Sequence, residues 1–165
     1  MRGTETVTVQ RLTPDDWQVW REVRLAALAD SPRAYGSSLA REERFGEADW
    51  RARLDPANGL SAVALLGERV VGAVGGYTPA GADAVLLIAM WAHPQSRGRG
   101  IGDALVADVL AWARENGWST VRLRVADGNL AARRLFERNG FSATGEREPL
   151  ESDPTIGTEF LICRV

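Results

Sequence analysis

The sequence is poorest in side chains that are easily oxidised or titrated near neutrality. One cysteine, Cys163, and one histidine, His93, stand among 165 residues. A lone cysteine forms no intramolecular disulfide, so the chain suits a reducing compartment, and Cys163 is expected to be a small buried side chain. A basic excess is also missing. Twenty Lys plus Arg face 22 Asp plus Glu, a net charge of −2, which argues against a nucleic-acid or membrane-surface binder. No segment approaches the ~18 uninterrupted apolar residues of a membrane span. The first ten residues, MRGTETVTVQ, hold no apolar signal core. A cytoplasmic protein is expected, with no metal, no nucleic acid and no membrane among its partners.

The composition, 45% hydrophobic and 25% charged, is that of a globular chain, and residues 1–165 fit one domain. A chain of this size buries roughly 70% of the surface it exposes when unfolded. Residues 6–12 alternate as a half-buried strand, and Thr13-Pro14-Asp15-Asp16 then signal a helix start. A second short helix is expected over 46–54. Three strands follow, at 61–67, 68–78 and 82–92, joined by short turns as an antiparallel meander. Ile101, Leu105, Val109 and Trp112 recur at helical spacing and stop at Asn116-Gly117. A strand at 119–125, a helix at 130–138 and strands near 141–146 and 156–163 complete an α/β pattern with a mixed sheet.

Between the third strand of the meander and the helix after it lies WAHPQSRGRGIGD, residues 91–103, with glycines at 98, 100 and 102. Such a turn offers backbone N–H groups at the positive end of a helix, a site for phosphate or pyrophosphate. The triphosphate-binding loop needs Lys and then Ser or Thr after its last glycine, whereas Gly102 is followed by Asp103 and Ala104. The dinucleotide fingerprint needs GxGxxG at the opening of a βαβ unit, and GRGIGD after a meander is not that.

RGRGIG at 97–102, and VRLRVADGNLAARRLFERNGF at 121–141, together resemble the two motifs of the GNAT superfamily of acyl-CoA-dependent N-acetyltransferases. The resemblance spans about residues 61–163. It implies a GNAT-like fold of the α+β type: a mixed, mostly antiparallel sheet of six or seven strands, about four helices, and splayed fourth and fifth strands. It implies acetyl-CoA as co-substrate and an amine as acceptor. The backbone of Met90, Trp91 and Ala92 would pair with the pantetheine arm, the loop Arg97, Gly98, Arg99, Gly100, Ile101, Gly102 and Asp103 would hold the pyrophosphate, and Asn129 would bond the arm, cap its helix, or do both.

Amide formation needs a neutral amine, a polarised carbonyl and a stabilised departing thiolate. The N–H groups near Met90–Ala92 are expected to polarise the carbonyl. Where the family usually carries a tyrosine to protonate sulfur, this chain has Phe136, which by the resemblance would also border the cofactor site. That leaves either a slower enzyme or an acyl-CoA-binding module whose chemistry is lost; a protein N-terminal acetyltransferase is a third reading. Asp83 and Tyr77 are weak candidates for proton transfer, and His93, beside the loop, for a structural or cofactor-side role. Arg24, Tyr35, Glu42 and Trp50 are candidates on the acceptor side. These aromatics and acids, with Glu148, Glu151 and Asp153 in a final loop, would suit a cationic amine, although helical tryptophans are usually core and Glu42-Glu43 a solvated face. The last strand, TIGTEFLICRV, is a candidate surface for a homodimer.

Overall fold

The computed structural model describes residues 5–165; residues 1–4, which begin the stretch read as lacking a signal core, lie outside the described residues. The strands are β1 (Val7–Arg11), β2 (Gly59–Leu66), β3 (Arg69–Tyr77), β4 (Val85–Ala92), β5 (Thr120–Ala126), β6 (Ser142–Leu150) and β7 (Asp153–Arg164). The helices are α1 (Trp17–Asp30), α2 (Leu39–Glu42), α3 (Glu47–Arg53), α4 (Ile101–Glu115) and α5 (Leu130–Arg138). One sheet runs in the order β1-β2-β3-β4-β5-β7-β6, and only β4 and β5 are parallel.

Alternation along the strands feeds two cores. Ala62, Ala64 and Val74 face a core built with Ile101, Leu105, Val106 and Val109 of α4 and Phe136 of α5. Their neighbours Val63 and Ala73 face the opposite side, where Trp20, Val23 and Leu28 of α1 and Trp50 of α3 cover the sheet. The helices start where the sequence supplies caps. Before α1, the Thr13 N–H donates to Asp16 Oδ2 at 2.8 Å and Pro14–Asp16 make a single 3₁₀ turn. Asn129 Oδ1 accepts from the Ala132 N–H at 3.2 Å and caps α5.

Three features differ from the sequence expectation. The short α2, Leu39–Glu42, is a fifth helix where about four were expected. Pairing carries β6 and β7 well beyond residues 146 and 156, so Glu148 and Asp153 stand on strands of a hairpin, with Glu151-Ser152 as its turn. The last strand is also not a free edge. From Thr158 to Ile162 β7 runs between β5 and β6, both of which it meets in register, so its backbone groups are spent within the chain.

The sheet is irregular at the site. β3 and β4 pair as Ala73 with Trp91 and Gly75 with Ile88, leaving Ala89 and Met90 opposite the single residue Val74. This is a β-bulge. Ala89 takes φ 57°, the only left-handed non-glycine among the described residues. Gly75 makes room, since a Cβ there would stand 3.0 Å from Ile88 Cγ1. On the other side, β4 and β5 are in register only at Val85 with Val121 and Leu86 with Arg122, and then part.

Gly59 holds the start of β2 against β3 at φ 123°, where a Cβ would lie 1.9 Å from the Gly76 carbonyl oxygen. Gly59→Ala is expected to destabilise the fold by at least about 2 kcal/mol, from backbone strain and the clash together. Gly81→Ala, at φ 80° with nothing within 4 Å, should cost only about 1–2 kcal/mol. Urea denaturation of the two variants checks the ranking.

Candidate active site

Where β4 and β5 separate, a cavity of about 670 Å³ opens through the sheet. Leu87, Ile88, Ala89 and Met90 form one wall, and Leu123, Arg124, Val125 and Ala126 the other. Asn129, Ala132 and Phe136 of the α5 region lie at one end; Arg24, Tyr35, Glu42, Arg53 and Tyr77 belong to the rest of the lining. The cavity therefore joins the two groups of residues that the sequence assigns to cofactor and acceptor.

The backbone of the bulge is held from outside the sheet. The buried Tyr35 hydroxyl donates to the Met90 carbonyl at 2.7 Å. Burial pushes this phenol well above its ordinary pKa, so it is a fixed donor. His93 N–H donates to the Val71 carbonyl of β3 at 2.7 Å, and alternation turns the Ala92 carbonyl away from β3, where Arg97 Nε donates to it at 3.1 Å. Trp91 and Ala92 are in register with Ala73 and Gly72, so within the stretch of β4 that pairs with β3, from Leu86 to Ala92, the residues without a partner are Ala89 and Met90.

The glycine loop divides its labour. Gly98 and Gly100 take φ 80° and 79° with open space around them, and Gly100 is the N-cap of α4. That arrangement presents N–H groups at a helix start with no side chain in the way. Gly102 serves packing instead, because a Cβ there would meet Leu135 Cδ2 at 2.8 Å, and without one α4 and α5 can touch. Asp103 accepts from Arg138 Nε and Nη2, each at 2.8 Å, and from Asn139, and chiefly the Arg138 bonds hold its carboxyl below the usual range. Arg97 is tied to Asp30 Oδ2 at 3.0 Å, and Trp91 Nε1 reaches the same oxygen at 2.9 Å. Asp30 thereby joins the end of α1 to β4 and the loop, a link with no local signal in the sequence. Arg99 is exposed and makes no ion pair among the described residues, leaving it as the loop's uncommitted cation.

On the acceptor side the acids are already taken. Glu42 is fully buried and accepts from Arg24 Nε (3.0 Å), Arg24 Nη2 (3.1 Å) and Arg53 Nη1 (2.7 Å). Burial opposes its ionisation; the bonds and charge of Arg24, helped by Ser37 and Arg53, prevail and keep it below the ordinary glutamate value. Arg124 is bound by both oxygens of Glu151 at 2.6 and 2.7 Å, with Glu148 at 3.4 Å. Of the acids expected to suit a cationic amine, Glu42, Glu148 and Glu151 each face a guanidinium, and Asp153 instead accepts from the Thr155 N–H and hydroxyl. The expectation for Trp50 is also corrected. It is completely buried, edge-on to Phe45 at 5.5 Å, because α3 needs a large side chain to fill the core over the sheet.

Asp83 is exposed, precedes β4 and does not line the cavity. His93 accepts from the Gln95 N–H through Nδ1 at 3.2 Å and packs against Trp91, capping the turn ahead of the loop. Tyr77 does line the cavity, and its hydroxyl bonds nothing among the described residues. Phe136 forms part of the wall, buried and edge-to-face with Phe141 at 5.8 Å, so its ring serves the core as well as the site. Among the described residues no cluster of three His, Cys, Asp or Glu is able to hold a metal, and no helix is long and apolar enough to cross a membrane.

A parallel pair that parts around a cavity, a bulged strand beside it and a glycine loop opening a helix are the features by which an acyl-CoA-dependent acetyltransferase fold is recognised. The Acetyltransferase (GNAT) family profile matches residues 20–141, and the chain belongs to that family. It is 35% identical over 103 residues to N-acetyltransferase 8B of Rattus norvegicus, covering 60% of this chain and 46% of that one. It is 31% identical over 147 residues to mycothiol acetyltransferase of Salinispora arenicola, covering 84% and 45%. The chain spans about half the length of the curated relatives it matches. In fold it is similar to yncA of Salmonella typhimurium, solved with its cofactor acetyl-CoA, with a TM-score of 0.75, 20% identity and coverage of 96% and 94%.

Glu42 sets a test of the buried ion cluster. Glu42→Gln leaves two guanidiniums without their anion and is expected to cost about 3–5 kcal/mol at pH 7. Because the folded-state pKa is depressed, the stability Glu42 contributes is present above the unfolded value and is lost as pH falls through the folded one. The gap between wild type and variant should hold above about pH 5 and narrow in more acidic buffer. Urea unfolding over a pH series measures it.

Proposed function

We propose that the chain is an N-acetyltransferase that moves the acetyl group of acetyl-CoA to the primary amine of a small molecule by direct attack, with both substrates bound together. The observation that carries this reading is the bulge: Ala89 and Met90 have no partner on β3 and line the opening between β4 and β5. Their N–H groups are the donors for the thioester carbonyl, preorganised in a partly dry site where such bonds count most. Gly98 and Gly100, with the free end of α4 and Arg99, are the seat for the pyrophosphate. Asn129 spends Oδ1 on its cap and keeps its amide nitrogen for the pantetheine arm. When bound, acetyl-CoA supplies an activated acetyl group and a sulfur leaving group.

Among the described residues no side chain in the cavity wall stands ready as a strong base. Glu42, the one carboxylate in the cavity wall, is held as an anion by two guanidiniums and is spent structurally. The amine enters in its neutral fraction, with Tyr77 as the hydroxyl available to touch it. Phe136 gives sulfur no proton; a free thiol titrates near 8.5, so the thiolate leaves into water at a modest rate. That absence supports a second reading, a module that binds acyl-CoA and turns over poorly or not at all.

Thiol release from acetyl-CoA with an amine panel separates the two readings: acceptor-dependent release supports transfer, and tight binding without release supports the module. The chain contains no lysine, so acetylation of its own lysines adds nothing to the blank. With the acceptor as its own base, kcat/KM should rise about tenfold per pH unit up to the pKa of the acceptor amine and move with that pKa between acceptors. A profile fixed at one pH for all acceptors contradicts this. Gly100→Val puts a branched side chain at a left-handed N-cap and should weaken CoA binding by about tenfold or more in calorimetry.

A further inference from the structure

The acceptor half of the cavity carries more positive charge than its own acids neutralise. Arg24 and Arg53 share the single carboxylate of Glu42. Three of their donors are used on it, while Arg24 Nη1 is buried without a partner. Arg53 spends only Nη1 on Glu42, and Nε and Nη2 bond nothing else among the described residues. Its side chain is 35% exposed and belongs to the cavity wall. The guanidinium is held in place before any ligand arrives, 4.6 Å over the Phe45 ring and 5.5 Å over Trp50. Burial chiefly, with the Arg24 charge and against the pull of Glu42, lowers its affinity for its proton. Arg124, the third guanidinium of the wall, has by contrast its own carboxylates, Glu148 and Glu151, which stand outside the cavity lining.

Resting on the acetyl-transfer reading, we infer that the acceptor is a free amino acid whose carboxylate docks on the uncommitted edge of Arg53. A planar fork with two free donors matches a carboxylate, and a fork already fixed by stacking loses little freedom on binding it. A polyamine or aminoglycoside has no anion to offer Arg53 and adds charge to a pole already in excess. A peptide N-terminus has its α-carboxyl tied up as an amide, so it leaves the guanidinium unpaired as well.

The test uses matched probes: phenylalanine, leucine and methionine, each beside its carboxamide and its decarboxylated amine. Calorimetry with the CoA-loaded protein reads the carboxylate subsite without any turnover, and thiol release from acetyl-CoA reads transfer. Each acid is expected to bind at least about tenfold more tightly than its amide, the ordinary scale of a charged hydrogen bond. Arg53→Gln should reduce that acid-to-amide ratio about tenfold, and Arg53→Lys, which keeps the charge without the fork, should restore part of it. Circular dichroism and CoA affinity report whether each variant is folded. Acids that bind no better than their amides, or a ratio unchanged in folded Arg53→Gln, overturn the inference. Acids preferred in binding with no thiol release from any of them would leave the carboxylate subsite standing and remove the transferase reading instead.

Discussion

β4 and β5 begin as hydrogen-bonded neighbours and part after two residue pairs, and the organisation of the site follows from that parting. A parallel pair cannot simply be left open, because the freed backbone groups need partners. The bulge at Ala89 re-aims one side of the opening, and the Tyr35 hydroxyl and Arg97 guanidinium satisfy the carbonyls of Met90 and Ala92. Those two carbonyls are therefore not free for a ligand. An opening with donors on its wall and a glycine-capped helix at its end suits a long ligand with a carbonyl at one end and phosphates at the other.

The surrounding layers hold the opening in shape. α4 and α5 brace one face through the Gly102–Leu135 contact, and the Asp103–Arg138 pair fastens the end of α5 to the beginning of α4. On the opposite face, Asp30 ties α1 to Trp91 and Arg97, and Ser152 Oγ donates to the Tyr35 carbonyl at 2.6 Å, linking the β6–β7 turn to the segment after α1. Both ends of the cavity thus share one frame. The tyrosine that steadies the bulge also lies under the Arg24 guanidinium, 4.9 Å from it, so the cationic cluster and the bulged strand β4 are mechanically connected.

Much of this frame was legible in the sequence because the signals are local. The 3–4 spacing in α4, the Asn129 cap, the alternating strands and the glycine string each act within a few residues, and the two motifs carried the family. The missing parts are contacts between distant residues. Asp30 meets Arg97 and Trp91 across more than sixty residues, and nothing around it in ADSPR announces a partner. Glu42 in LAREE looks like a solvated helix face; only the fold puts Arg24 and Arg53 around it and reverses the charge expected of the acceptor side. The bulge is hidden for another reason: Ala89 has ordinary alanine chemistry, and its left-handed backbone is imposed by β3 and β4. Trp50 is the converse, an aromatic that in sequence suits a ligand as well as a core.

A structure of the protein with acetyl-CoA tests the central claim most directly. If the parting of β4 and β5 is the acyl site, the thioester oxygen will lie roughly 2.7–3.2 Å from the backbone nitrogen of Ala89 or Met90, with the pyrophosphate against Gly98–Gly102 at the start of α4. A thioester bound elsewhere, or lying in the opening with its oxygen met by neither nitrogen, would contradict the account.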